Sequence, residues 1–104
     1  MDAWITQLRK GVLEYCLLRL LKNQEDYPYK MVQRLKAIRI LAITESTVYP
    51  ILARMKNDRI VSVRILPSVV GPSRRYYALT RLGKERLGAM RSYWADLNQA
   101  IASL

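Results

Sequence analysis

The amino-acid sequence predicts a mainly α fold with one small β-hairpin, an α+β arrangement in one continuous structural domain. Three observations support this prediction. Apolar residues recur at helical spacing in four segments, and two β-branched or aromatic runs flank a loop rich in proline and serine. A chain of 104 residues, 51% of them hydrophobic, has room for one modest core and little more.

The first predicted helix covers residues 3–21. Its apolar residues follow helical spacing, and the apolar stripe widens toward the C-terminal end, which is typical of a helix that becomes central to a core. Cys16 lies in the wider part, where a small buried hydrophobe is favoured over a reactive thiol. The polar run at residues 23–26 ends this helix.

The second predicted helix begins with Pro28 in its first turn, where the missing N–H costs nothing. Met31, Val32 and Leu35 share its predicted core face. Apolar residues continue beyond this helix, and no glycine marks its C-terminal end. The sequence therefore predicts a turn somewhere within residues 37–43 without fixing its position.

The third predicted helix is capped by Thr44 or Ser46, with Glu45 close to its positive end. Because Pro50 costs a hydrogen bond unless it falls in a first turn, the predicted start lies at Ser46 or the residue after it. The helix is expected to end at residues 57–58. Its core face is formed by Val48, Leu52 and Met55.

Two strand-like runs follow, at residues 60–66 and 74–79, joined by a loop at residues 67–73. They predict a β-hairpin whose returning strand is basic. Thr80 is expected to cap the last helix. Three helices followed by a hairpin is the plan of a winged helix-turn-helix, here with a C-terminal dimerisation helix.

The last helix carries a strict heptad seam, with apolar residues separated by alternating steps of three and four. So narrow a strip suits packing against another helix, and a second copy of the chain is the predicted partner. Packing on the chain's own first helix is the alternative, and both can hold along different stretches. The predicted dimer interface comprises Leu87, Met90, Trp94, Leu97, Ile101 and Leu104.

Charge is unevenly distributed along the chain, whose formal net charge is +10. Residues 27–91 hold fourteen basic against three acidic residues, a net of +11, whereas the charges of residues 1–26 cancel. A middle section this basic favours a polyanionic partner, most often nucleic acid, over a charge that only aids solubility.

Several function classes are disfavoured. The polar N-terminus predicts no signal peptide, and no apolar run is long enough to span a membrane, so we expect a cytoplasmic protein. The chain has no histidine and one cysteine, and it lacks a phosphate-binding loop or nucleophile motif. We therefore expect neither an enzyme nor a metal site, and no cofactor.

Three segments resemble the PadR family of bacterial transcriptional regulators. Residues 44–55, TESTVYPILARM, resemble its recognition helix, and residues 71–80, GPSRRYYALT, followed by Gly83, resemble its wing. Residues 27–29, YPY, look like the aromatic start of its second helix. The resemblance spans about residues 5–104 and suits the short subfamily with a single C-terminal helix. Ser46 stands where the family usually has glycine, and the wing tip at Val69 and Val70 is unusually apolar.

The resemblance implies contacts with double-stranded DNA. Hydroxyl groups at the start of the recognition helix are expected to bond phosphates or base edges, and basic residues on the second helix and the wing to grip the flanking backbone. The predicted DNA-binding residues are Lys30, Arg34, Ser46, Thr47, Tyr49, Arg54, Arg74 and Arg75.

Trp94 matches a tryptophan of the last helix that, in multidrug-binding PadR-like regulators, helps to line a ligand pocket at the dimer interface. The resemblance therefore implies a site for a small aromatic effector. Plain dimer packing of the indole is the alternative.

These expectations combine into a homodimeric repressor that binds a pseudopalindromic operator. Residues 1–80 would form the DNA-binding unit and residues 81–104 the dimerisation helix. The alternative is a winged-helix protein-interaction module that docks through its apolar wing tip, although such a module has no need of so basic a middle section.

Overall fold

In the computed structural model, which describes residues 2–104, three helices precede a two-stranded antiparallel hairpin and a long fourth helix follows it. This confirms the predicted α+β fold class. Met1, the first residue of the predicted unit 1–80, lies outside the described residues. The elements are α1 (Asp2–Leu20), α2 (Pro28–Lys36), a 3₁₀ turn (Arg39–Leu41), α3 (Glu45–Asn57), β1 (Val61–Leu66), β2 (Arg74–Leu79) and α4 (Arg81–Ala102).

The core confirms the predicted inner faces of the helices. The C-terminal half of α1 supplies its centre, whereas the first three turns of that helix expose most of their side chains. The core faces of α2 and α3 and the first residue of β1 close around it. The buried apolar residues are Leu13, Leu17, Leu18, Leu21, Met31, Val32, Leu35, Val48, Leu52, Met55, Ile60, Val61, Tyr77 and Leu87.

The start of α3 differs from the prediction. The helix begins at Glu45, because the carbonyl oxygen of Thr44 already accepts bonds from the N–H groups of Thr47 and Val48, at 3.2 and 3.3 Å. Pro50 therefore lies inside the helix and not in its first turn, and the bond its N–H would have made to the preceding turn is missing. Thr44 occupies the N-cap position, but its hydroxyl bonds the Ser46 and Thr47 hydroxyls, so neither predicted cap satisfies a backbone N–H.

The predicted cap of α4 is confirmed. The Thr80 hydroxyl oxygen accepts a 3.0 Å hydrogen bond from the Gly83 N–H and lies 2.6 Å from the carbonyl oxygen of Arg59. Gly83 packs so tightly on the backbone that an added Cβ would lie 2.1 Å from the Ile60 carbonyl oxygen. This contact joins the start of α4 to the residue that leads into the hairpin.

The heptad seam divides into two stretches. Leu87 is buried and Met90 packs against the core, so the beginning of α4 packs within the chain. Leu87, one of the predicted interface residues, is thus buried in the core of its own chain, which is the alternative left open for part of the seam, and α4 contacts both α1 and β2. Beyond it the seam emerges to the surface: Trp94 is 38% exposed, Ile101 58%, and Leu104 fully exposed.

Candidate nucleic-acid interface

Helix α3 presents its outer face to solvent because Val48, Leu52 and Met55 fix its inner face in the core. The side chains opposite to them are short, polar or aromatic. Two flanks border this outer face, one along α1 and the other toward α2 and the hairpin. Of the predicted contacts, Ser46, Thr47, Tyr49 and Arg54 are all exposed on α3.

One flank of α3 runs along α1. Thr47 and Arg54 lie on this flank because they are seven residues apart, close to two helical turns. Thr47 lines a cavity of about 250 Å³ together with Arg9 and Lys10 of α1. Arg54 donates a 3.1 Å hydrogen bond from Nη2 to Oε1 of Glu14 on α1. The predicted DNA contact at Arg54 is therefore engaged by a carboxylate of the same chain.

The other flank of α3 borders a cleft that combines aromatic and basic side chains. Tyr49 lines this cleft of about 270 Å³ with Tyr27 at the N-cap of α2, with Pro28 and Tyr29 in the first turn of α2, and with Arg74 and Arg75 of the wing. The Arg74 guanidinium lies 4.5 Å from the centroid of the Tyr27 ring, a cation–π contact that holds the wing arginine against the start of α2. Hydroxyls and guanidinium groups at one surface suit phosphate oxygens.

Tyr27 and Tyr29 were not among the predicted site residues. Tyr29 is exposed in the cleft, and Tyr27 stacks edge-on against Tyr76 with ring centroids 5.4 Å apart. The signal that could have identified them is the aromatic pair flanking Pro28, which places both rings at the first turn of α2. We name the surface formed by Tyr29, Tyr49, Arg74 and Arg75 the aromatic–basic cleft.

The predicted contacts on α2 differ from each other. Lys30 is exposed in the first turn of the helix and follows Tyr29 of the aromatic–basic cleft in the sequence. Arg34 instead donates from Nη1 to Oδ2 of Asp26, at 3.2 Å, and to the carbonyl oxygen of Leu20, at 3.3 Å. Asp26 is 1% exposed, so Arg34 neutralises a buried carboxylate as well as facing solvent.

The wing is fastened to the body by a second ion pair. Arg64 of β1 donates two hydrogen bonds to the Glu25 carboxylate, and the Nε–Oε2 distance is 2.8 Å. These bonds lower the pKa of Glu25 and raise the pKa of Arg64. Among residues 2–104, Arg74 and Arg75 form no ion pair with a carboxylate, so no acidic side chain of this range neutralises the charge of the returning strand.

The wing tip is exposed although its sequence is apolar. Val69 and Val70 both lie at the surface, at a turn where Gly71 has a φ of 112°. This backbone conformation favours glycine because it has no Cβ. The apolar tip lies at the far end of the hairpin from the Asp26 bridge and faces solvent.

A separate groove of about 570 Å³ runs between α1 and α4. Trp94 lines it, with its ring centroid 6.3 Å from that of Tyr15 on α1. The groove is almost entirely apolar and lies away from the aromatic–basic cleft. Its lining comprises Gln7, Leu8, Gly11, Val12, Tyr15, Ala89, Met90, Tyr93, Trp94 and Leu97.

Cys16 is half-buried and lines the cavity beside Thr47. Burial raises the pKa of its thiol above the usual value, against the opposing influence of Arg19. The thiol therefore stays protonated near neutral pH, consistent with its interpretation as a small hydrophobe. Across residues 2–104, no helix is both long and apolar enough to cross a bilayer.

Comparison with known proteins identifies the family. The family model described as the transcriptional regulator PadR-like family matches residues 17–89. The chain is 41% identical to a PadR-like transcription factor of Bacteroides fragilis, with a TM-score of 0.83 and 94% of each chain covered. It is 30% identical to a PadR-like regulator of Bacillus cereus, with a TM-score of 0.82, covering 93% of this chain and 94% of that one.

A third structure, Bacillus subtilis PadR in complex with operator DNA, is 25% identical with a TM-score of 0.71. That match covers 76% of this chain and 46% of the Bacillus subtilis chain. Together the matches confirm the predicted resemblance and the winged-helix fold.

Proposed function

The chain belongs to the PadR-like family of transcriptional regulators, and from that premise we propose that it is a repressor that binds operator DNA as a homodimer. The observation that carries the proposal is the aromatic–basic cleft. It joins the exposed side of α3 to two wing arginines that pair with no carboxylate of residues 2–104, on the most basic part of the chain.

In this proposal α3 enters the major groove and the wing and the start of α2 hold the backbone on either side. Ser46 and Thr47, at the start of α3, and Tyr49 face base edges or the nearest phosphates. Arg74, Arg75 and Lys30 contact phosphates, which position the protein without reading sequence. The operator complex of Bacillus subtilis PadR supports DNA as the partner class.

Dimerisation is proposed to use the exposed stretch of the seam. Leu97, Ile101 and Leu104 present apolar surface that the chain itself leaves uncovered. Trp4 and Leu8 expose further apolar surface on the facing helix α1. A second copy covering both would bring two α3 helices to one face of DNA, and a pseudopalindromic operator needs them about 34 Å apart.

Release of the operator is proposed to follow binding of a small aromatic compound in the α1–α4 groove. Its volume of about 570 Å³ and its apolar lining, with the indole of Trp94 and the ring of Tyr15, suit a planar aromatic guest. Because α4 also carries the proposed dimer contacts, a guest there would alter the angle between the two halves.

The test is a footprint on the DNA upstream of the chain's own gene. We expect protection of a pseudopalindrome whose half-sites lie one helical turn apart. Tyr49→Ala should weaken operator binding more than random-DNA binding, whereas Arg74→Ala should weaken both similarly. Arg81→Ala is the matched control, since this exposed arginine begins α4 and does not line the cleft. No protection anywhere, with equal and weak binding to all DNA, would favour the protein-interaction module instead.

A further inference from the structure

Glu14 of α1 lies between two arginines from different helices. Its Oε1 accepts the 3.1 Å bond from Arg54 of α3, and its Oε2 lies 3.9 Å from Nη1 of Arg86 of α4. The Glu14 side chain is 20% exposed, whereas that of Arg54 is 60% exposed. The carboxylate is thus held by its surroundings, while the guanidinium remains accessible to another anion.

The position of Arg54 would allow its guanidinium to exchange Glu14 for a DNA phosphate. Arg54 lies on the flank of α3 that also carries Thr47, close to the face proposed to enter the major groove. In its present pair the guanidinium is directed back to α1. An exposed ion pair contributes little stability in water. A DNA phosphate offers the same guanidinium another anionic acceptor, and the pairing also releases counterions from the DNA.

We propose that Glu14 competes with DNA for Arg54, so that it sets the number of phosphates each protomer neutralises. This inference rests on the proposed function and identifies an acidic residue remote from the cleft as a determinant of DNA affinity. Glu14 is a positioning residue: it acts through Arg54 and makes no contact with DNA itself.

The Glu14 carboxylate also connects α3 to the helices that form the α1–α4 groove. Glu14 precedes Tyr15, whose ring contacts Trp94, and Arg86 shares Glu14 with Arg54. A shift of α4 relative to α1 would therefore change how Glu14 is divided between the two arginines. This gives α4 a contact route to α3 through one side chain of α1.

The test measures operator affinity against salt for Glu14→Gln, which keeps the shape of the side chain and removes its charge. We expect about tenfold tighter binding near 0.1 M salt and a log–log slope steeper by about 2 per dimer, close to one extra phosphate contact per protomer. Glu85→Gln is the matched control, because it also removes a carboxylate paired with an arginine, Arg81, but on the outer side of α4. It should change affinity less than twofold.

A double-mutant cycle separates this mechanism from a general charge effect. In an Arg54→Gln background, Glu14→Gln should no longer tighten operator binding and should change the affinity as little as the Glu85→Gln control does. A gain that persists without Arg54, or no gain in the native background, would overturn the inference. Failure of the native protein to bind any DNA would instead overturn the proposed function and this inference with it.

A second measurement needs no DNA. Exchange with solvent of the Arg54 Nη2 hydrogens, which donate to Glu14, should accelerate in Glu14→Gln as the guanidinium is released; NMR of the free protein follows it. Unchanged exchange would show that no such pair exists in solution and overturn the inference. Should Glu14→Gln fold poorly, Glu14→Asp, whose shorter side chain withdraws the carboxylate from Arg54, should give the same direction in both measurements.

Discussion

The backbones of Asp26 and Tyr77 exchange two hydrogen bonds: the Asp26 N–H donates to the Tyr77 carbonyl oxygen at 3.0 Å, and the Tyr77 N–H donates to the Asp26 carbonyl oxygen at 2.7 Å. This bridge attaches the returning strand of the wing to the segment between α1 and α2. The Asp26 side chain beneath it is buried, and its oxygens accept bonds from the Tyr27 N–H and from Arg34. Arg34 therefore helps to hold the wing in place.

Replacing Arg34 by alanine should destabilise the fold because it leaves the Asp26 carboxylate buried with one partner fewer. The expected loss is about 1–3 kcal/mol of unfolding free energy, at the lower end because Arg34 is partly exposed. Urea unfolding measures it. Lys30→Ala on the same helix is the control and should lie within about 0.5 kcal/mol of the native protein. Equal stability of the two variants would show that the Asp26–Arg34 pair contributes nothing.

Two glycines of α4 should respond in opposite ways to alanine. Gly83→Ala places a Cβ on the Ile60 carbonyl oxygen and should cost on the order of 3 kcal/mol. At Gly88 an added Cβ meets nothing within 4 Å, so Gly88→Ala should stabilise the helix by about 0.5–1 kcal/mol. Thermal unfolding compares them directly. If Gly83→Ala has the same melting temperature as the native protein, α4 does not approach the Ile60 carbonyl as closely as described.

Local chemistry allowed much of the fold to be predicted from the sequence. Thr80 caps α4 as expected because its cap partner lies three residues away, and Pro28 starts α2 because its ring fixes φ within one residue. Pro50 shows the limit of such local rules. The core faces of α3 and the bonds to the Thr44 carbonyl determine where this helix starts, and the proline is tolerated inside it.

The candidate site was harder to predict because its decisive contacts are distant in sequence. Arg54 and Glu14 are forty positions apart, and Arg34 reaches Asp26 only after the chain has turned between α1 and α2. The sequence does not indicate whether a basic residue on the outer face of a helix pairs with a carboxylate elsewhere in the same chain. The division of the heptad seam was also hidden, since Leu87 and Ile101 occupy equivalent heptad positions and only packing distinguishes them.

The exposed stretch of the seam should hold the dimer together. Leu97→Asp or Ile101→Asp would bury an unpaired carboxylate at each symmetric contact, at a cost of several kcal/mol. Analytical ultracentrifugation should find monomers, and tight operator binding should be lost. Gln99→Asp, on the opposite side of α4, is the matched control and should remain dimeric. A Leu97→Asp protein that stays dimeric at micromolar concentration would place the interface elsewhere.

Trp94 should report ligands in the α1–α4 groove. In a Trp4→Phe background, planar aromatic compounds should quench the remaining indole fluorescence. The same compounds should weaken operator binding, and Trp94→Ala should abolish their effect on the operator while leaving DNA binding itself largely intact. If a panel of phenolic acids and cationic dyes changes neither the fluorescence nor the operator affinity, the indole serves dimer packing alone.

The salt dependence of operator binding tests the central claim most directly, because cations that neutralise phosphates release counterions in proportion to their number. With roughly six phosphates neutralised per dimer, the logarithm of the association constant should fall against the logarithm of salt concentration with a slope near −5. Fluorescence anisotropy on the best footprinted site provides the measurement. A slope near −5 is the result that DNA binding through the aromatic–basic cleft predicts, and a slope between zero and about −1 would contradict it.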